Sequence, residues 1–289
     1  YPSWYPIPSP TNHYGDTNEA GGTIQGRFSA RKPGAQTFPP PVMSSVSSRY
    51  IGGKIIGYDL SQIELRMGAL LSGDPVMMGE YHRGIDTQTA LFLYPNADIH
   101  SEEFRRFPDG QRQAGKRMNF LVLYRGGALK YQETMMKEHK LLIPLDKCKE
   151  GIAQFSQRYR IFRLWQDQNI DKVRETGHLE LVTGWSRHWG KGHAMSECVS
   201  EICDFPIQTI AAQLLQSAQF AIQCEMQKLH LKSLIVLQIH DALYLDVFPG
   251  EEKIIDKIIK KFLTRPPILD YIEHELKRSV PIEYEKEIK

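Results

Sequence analysis

Two acids stand out by position. Asp59 closes a short apolar run, Ile55-Ile56-Gly57-Tyr58, and Asp241 sits at the joint between Leu234-Ile235-Val236-Leu237-Gln238-Ile239 and Leu243-Tyr244-Leu245-Asp246-Val247. A carboxylate at the end of a buried strand costs desolvation free energy unless it is paired or metal-bound, so two of them beside apolar strands invite a divalent cation. Taken singly, each acid is better explained by accepting turn hydrogen bonds. Between them in the chain, Arg112, Lys116 and Phe120 recur every four residues and Tyr124 continues the series. On a helix this lines two cations and two aromatic rings along one slowly turning stripe, with Arg117 and Asn119 beside it. Cations followed by flat rings suit a phosphate-bearing base. Without the acids, the same stripe would read as a solvated basic face with an aromatic edge. Arg105, Arg106, Arg125 and Lys130 extend the basic neighbourhood, as polyanion contact requires.

These residues need particular elements to position them. The run ending at Tyr58 predicts a buried strand, and Ser61 to Leu71 a helix closed near Gly73. Helical periodicity returns over about Gln111 to Lys140, Lys147 to Glu175 and Pro206 to Leu229, with a candidate hairpin over His178 to Trp185. The two apolar runs around His240-Asp241-Ala242 predict a hairpin with an acid at its tip. From Glu251 to Leu263, Ile254, Ile255, Ile258, Ile259 and Phe262 form one apolar helix face, a cover for the sheet. The first 50 residues are dense in proline and glycine, which argues for an extended arm lying along another surface.

The 289 residues allow one large domain or two modest ones. With 24% charged and 41% hydrophobic residues and no apolar run of membrane-spanning length, disordered and membrane classes are excluded. Lys plus Arg number 36 against 34 Asp plus Glu, so net charge makes no case for a nucleic-acid partner and the local clusters must make it. Cys148, Cys198, Cys203 and Cys224 form no CxxC pair, and no secretory leader opens the chain, which favours a reducing intracellular setting. His188, His193, Cys198 and Cys203 recur every five residues but lack the close pairing of zinc ligands. The chain opens on Tyr1 without a Met, as a fragment or a processed chain would.

The order of these motifs resembles the family A DNA polymerases, the group of bacterial DNA polymerase I and many phage replicases, and a phage-like member is expected. Asp59-Leu60-Ser61-Gln62-Ile63-Glu64-Leu65-Arg66 is similar to motif A, Arg112-x-x-x-Lys116-x-x-Asn119-Phe120-x-x-x-Tyr124 to motif B, and Gln238-Ile239-His240-Asp241 to motif C. Gly26-Arg27-Phe28-Ser29 with Gln36 resembles the template-primer segment before motif A, and Phe205-Pro206-Ile207-Gln208-Thr209-Ile210-Ala211-Ala212 the helix after the fingers. The matches run in order from Gly22 to Val247.

The resemblance implies an α/β chain of the α+β type: a right-hand palm with an antiparallel sheet, helical fingers, and no evident thumb. It implies an arm over 1–50, palm over 51–75, fingers over 76–175 with motif B at 112–124, and palm again over 176–289 with motif C at 238–242. It also assigns roles. Asp59, Asp241 and the Leu60 carbonyl would hold two Mg2+ ions. Arg112 and Lys116 would grip the triphosphate, Phe120 would pack on the incoming nucleotide, and Tyr124 would guard the template position. Arg27, Gln36, Gln208 and His240 would touch the primer-template duplex. Glu64 has two readings, since the matching family residue excludes a ribose 2'-hydroxyl while Ser61-x-x-Glu64 is also a capping box. Deoxynucleoside triphosphates and primer-template DNA are the implied partners. A second subunit or upstream segment would carry the thumb and exonuclease, and no membrane is implied.

Three positions depart from the family pattern. Ala242 stands where motif C usually continues with Glu, so two aspartates suffice or activity is weakened. Asp86 stands where a phosphate-holding His is common, and Arg125 where a Gly usually follows the Tyr, either as a template contact or facing solvent. Ala242 keeps open a second reading, a catalytically weakened DNA-binding or assembly subunit derived from a polymerase. A third, a single-chain RNA polymerase, is opposed by Glu64 and Phe120.

Overall fold

A computed structural model describes residues 3–5, 26–27, 29–31, 45–84, 109–140, 142–190 and 195–288. Gln36, Asp86, Arg105, Arg106 and His193 lie outside them. The chain forms two compact units. The first comprises Tyr1–Glu64, Gln208–Lys277 and Ile282–Lys289, and the second Leu65–Ile207 and Arg278–Pro281.

The first unit is built on a four-stranded antiparallel sheet. Its strands are β3 (Lys54–Leu60), β6 (Leu234–Ile239), β7 (Ala242–Val247) and β8 (Tyr284–Ile288), in the order β6-β7-β3-β8. A separate antiparallel pair is formed by β1 (Ser3–Tyr5) and β2 (Ser29–Arg31). The near-continuous apolar runs of β3 and β7 occupy the centre, where both faces are covered. At the edge, β8 exposes Glu285, Lys286 and Glu287, charges that discourage pairing with a further strand. Gly57 faces Tyr244 across the sheet, and a Cβ there would come within 2.8 Å of the ring, so only glycine lets that ring lie on β3. Helix α8 (Glu252–Thr264) buries Ile255, Ile258 and Ile259 of the expected face, but Leu263 is buried in place of Phe262, and Ile254 and Phe262 are only partly covered. It is pinned to the sheet through Asp256, which accepts from the Tyr58 hydroxyl at 2.8 Å and from Lys286 at 2.7 Å.

The second unit is mainly helical. Helix α1 (Ile63–Ser72) begins at the end of the first unit and continues into the second, followed by α2 (Pro75–His82). The periodicity over 111–140 is in fact two helices, α3 (Asp109–Leu123) and α4 (Ala128–His139). Arg125 takes φ 61 and Gly126 N–H folds back to the Leu121 carbonyl at 2.7 Å, which ends α3. Residues 147–175 likewise divide into α5 (Leu145–Arg158) and α6 (Arg160–Thr176), broken at Tyr159 with φ -109 and ψ 60. Buried positions keep a helical spacing on either side of Tyr159, with Cys148, Gly151 and Phe155 on α5 and Phe162, Gln166, Ile170 and Val173 on α6, so the periodicity carries across the break.

The hairpin is β4 (His178–Glu180) with β5 (Ser186–His188), so its second strand starts beyond the expected Trp185. Helix α7 (Met195–Lys228) starts well before Pro206, which it carries internally, and its residues divide between the units at Ile207 and Gln208. Sequence reading also missed α2, β8 and a helix α9 (Pro267–Leu276) that opens on a proline at its first position.

Candidate active site

Strand pairing brings the two acids together. Asp59, one residue from the end of β3, lies opposite Ala242, the first residue of β7. Asp241 belongs to the two-residue turn between β6 and β7, and its carbonyl accepts from Leu60 N–H at 3.1 Å. Its turn partner His240 is exposed and takes φ 49. Beyond β3 the chain turns through Ser61 and Gln62 into α1, whose first turn carries Glu64. Gln62 takes φ 53, so the regular helix starts at Ile63 and Ser61 lies two residues before it.

The Glu64 carboxylate accepts from Arg27 Nη2 at 2.6 Å, and the same nitrogen lies 3.5 Å from Asp241 Oδ1. Asp59 is exposed, whereas the Asp241 and Glu64 side chains are 24% and 10% exposed. Burial pushes the Asp241 carboxyl up to about 6; Arg27 opposes the rise, and Glu64 and Asp59 reinforce it. Like charges gathered at one place form a locus where a cation is favoured. Among the described residues no group of three or more His, Cys, Asp or Glu is arranged as metal ligands. Carboxylates on β3 and on the β6–β7 turn nonetheless suit a hard ion such as Mg2+, which keeps several waters and takes further ligands from substrate phosphates.

The position of Arg27 is set from α7. Gly26 is buried with φ 76, and its carbonyl accepts from Gln216 Nε2 at 2.6 Å. Gln216 was not among the residues selected from sequence. It lies two turns beyond Gln208, so the i, i+4, i+8 spacing that aligns them was the available signal. Gln208 itself is partly exposed on α7.

The cation–aromatic stripe belongs to the second unit. Arg112, Lys116 and Phe120 fall on α3 at four-residue spacing, Lys116 and Phe120 being half-buried. Tyr124 lies just past the helix end, in the turn that Arg125 completes. Arg125 does not face open solvent: its side chain is 24% exposed. Its guanidinium donates to Gln166 Oε1 at 3.0 Å, the Arg163 carbonyl at 3.2 Å and Asp167 Oδ1 at 2.5 Å. The left-handed backbone explains why glycine suits this position, and the three bonds offset its cost of about 1–2 kcal/mol for a side chain. Arg117 pairs with Glu138 at 2.5 Å, fastening α3 to α4.

The fold is thus an antiparallel sheet with a mainly helical unit inserted in the chain between β3 and β6. The structure superposes on the POL domain of Pol1 from M. smegmatis, solved in complex with DNA primer-template and dNTP, with a TM-score of 0.73 at 20% identity. That match covers 93% of this chain and 46% of the other. The family profile of DNA polymerase family A matches residues 12–288, and the chain belongs to that family. Among curated relatives, the thermostable DNA polymerase I of Thermus thermophilus is 29% identical over 240 residues, 78% of this chain and 27% of that protein. DNA polymerase I of Aquifex aeolicus is 22% identical over 267 residues, 92% of this chain and 44% of that protein. The DNA polymerase of Bacillus phage SP01 is 24% identical over 283 residues, 87% of this chain and 30% of that protein. The chain therefore spans less than half the length of these relatives. Among the described residues no helix is long and apolar enough to cross a membrane.

Proposed function

We propose that this chain is the catalytic part of a template-directed DNA polymerase that adds deoxynucleotides to a primer 3' end. The observation that carries the reading is the meeting of Asp59 and Asp241 at adjacent strand ends in a family A chain. Asp59, Asp241 and the Leu60 carbonyl would hold Mg2+, two ions in this reading. Bound there, the ions supply charge neutralisation at the attacking and leaving oxygens of phosphoryl transfer. Arg112 and Lys116 would grip the triphosphate, Phe120 would pack on the incoming sugar and base, and Tyr124 would guard the template position. Glu64 would fill the space beside the sugar 2' carbon. Arg27, Gln36, Gln208 and His240 would contact the primer-template duplex.

In the same reading, residues 51–75 and 176–289 form the palm, 76–175 the fingers, and 1–50 an arm. Less than half the length of the relatives is present, which supports a second subunit or upstream segment carrying thumb and exonuclease. The four cysteines are free, in keeping with an intracellular setting.

The test is metal-dependent primer extension by the purified chain. Asp59→Ala or Asp241→Ala should abolish it, because losing a ligand removes charge stabilisation worth several kcal/mol of barrier, roughly. Near-normal extension by either variant would sink the assignment. Duplex binding without extension by the parent chain would favour the alternative, a weakened assembly subunit, for which buried Ala242 beside Asp59 is the supporting feature.

A further inference from the structure

We propose that Arg27 is a latch on the acid cluster: in the DNA-free chain its guanidinium takes the charge position that a divalent cation needs at Asp241, and Gln216 holds it there. This rests on the reading of Asp241 as a cation ligand. One guanidinium nitrogen reaches both Glu64 Oε1 at 2.6 Å and Asp241 Oδ1 at 3.5 Å. A single cationic group thus bridges the acid assigned to the metal and the acid assigned to the sugar.

The reach of Arg27 is built into the backbone before it. Gly26 is buried at φ 76, a conformation that side-chain-bearing residues adopt poorly, and its carbonyl is fixed by the 2.6 Å bond from Gln216 Nε2. Gln216 is therefore a positioning residue. It acts on the acids only through the Gly26-Arg27 turn.

A guanidinium and a divalent cation repel each other strongly when both sit on one half-buried carboxylate, so the two must exchange at Asp241. Arginine keeps its charge at every working pH, so release comes by movement and not by loss of a proton. Duplex DNA offers the guanidinium other acceptors, phosphates and base edges, and would draw it away. Cation binding and duplex binding then reinforce each other, and by linkage each must tighten the other by the same factor. The latch would keep the cation weakly held until a primer-template is in place.

The test is Mn2+ binding to the purified chain, followed by the paramagnetic resonance of the free ion, with and without a primer-template duplex. Without DNA, Arg27→Gln should bind the Asp241-dependent Mn2+ about tenfold tighter or more, a typical coupling between sites. Arg27→Lys should stay near the parent chain, and Gln216→Leu should fall between. Adding duplex should tighten Mn2+ binding by the parent chain and leave Arg27→Gln unchanged. Unchanged or weaker affinity in both Arg27→Gln and Gln216→Leu, while Asp241→Asn removes the site, overturns the latch and leaves the metal reading standing. If Asp241→Asn leaves Mn2+ binding intact, the metal reading fails and the latch with it. Should circular dichroism show that Arg27→Gln does not fold, Gln216→Leu decides the question alone, since its bond is to Gly26.

Discussion

The Asp74 carboxylate lies beneath the first turn of α6, with Oδ2 accepting from the amides of Phe162 and Ile161 at 3.1 Å each. Its other oxygen accepts from Val76 N–H at 3.0 Å and Met77 N–H at 3.1 Å, at the start of α2. One side chain, 1% exposed, thus caps two helices distant in sequence and satisfies four amides that would otherwise be orphaned. It also accounts for the helix break at Tyr159, where α6 begins with its first amides capped. Asp74→Ala should cost about 2–4 kcal/mol of stability in urea unfolding, the sum of two caps. Asp74→Asn, which retains one acceptor oxygen, should cost roughly half as much. A loss below about 0.5 kcal/mol, the range of neutral surface changes, would show that the double cap is not stabilising.

The raised Asp241 carboxyl predicts a pH dependence whose sign follows from which state binds the proton more tightly. Its folded value of about 6 exceeds the ordinary value of 3.8, so the cation-free folded chain binds more protons than the unfolded one between those limits. The contribution of this group to stability should fall as pH rises from about 4 to about 6 and level off above. Cation affinity should run the opposite way, rising through the same window as the carboxylate is freed and then flattening. Mn2+ titrations between pH 5 and 8, about the range where a protein survives, would check this. A profile identical in Asp241→Asn would assign the slope to another group.

For Glu64, the Arg27 pairing favours a role beyond helix capping. Glu64→Ala should raise ribonucleotide incorporation relative to deoxynucleotide in single-nucleotide extension. Reduced melting temperature with unaltered sugar selectivity would refute the gate.

Ala242 stands directly opposite Asp59 and is 6% exposed, so Ala242→Glu would add a carboxylate to the acid cluster in a confined place. Extension should persist or rise and Mn2+ should bind more tightly, at a stability cost of about 1–3 kcal/mol for the buried polar group. Complete loss of extension would show that the local geometry does not admit the usual family residue.

Duplex binding by the chain alone should be weak and steeply salt-dependent. The formal net charge is only +2, and the chain covers 27% of the Thermus thermophilus relative, so many of the phosphate contacts of a complete enzyme would lie elsewhere. Fluorescence anisotropy with a labelled primer-template, across a salt series, should show affinity restored by an upstream subunit or segment. Tight, salt-tolerant binding by the isolated chain would make the partner unnecessary.

The elements that position the acids were legible because their signals are local. The β3 run, the two strands around His240-Asp241 and the helix α8 each declare themselves within a few residues, and the structure has these elements where they were read, with the buried face of α8 turned slightly towards Leu263. Two long helical periodicities misled, since a period of 3.6 residues persists through a one-residue break at Tyr159 and a short turn at Arg125. Strand β8 was missed because its charged sequence is that of an edge, and its place beside β3 comes from pairing across more than two hundred residues.

What the amino-acid sequence determined by itself is the family and the acids at the strand ends, because motif order and residue type are properties of the chain. Only the tertiary structure decided the company those acids keep. Arg27 reaches Glu64 across 37 residues and Asp241 across 214, and Gln216 fixes Gly26 across 190. Asp74 meets Phe162 across 88. No periodicity or propensity encodes such pairings. They follow from strand order and from the strong penalty on leaving buried polar groups unsatisfied, which acts only once the chain has closed around them.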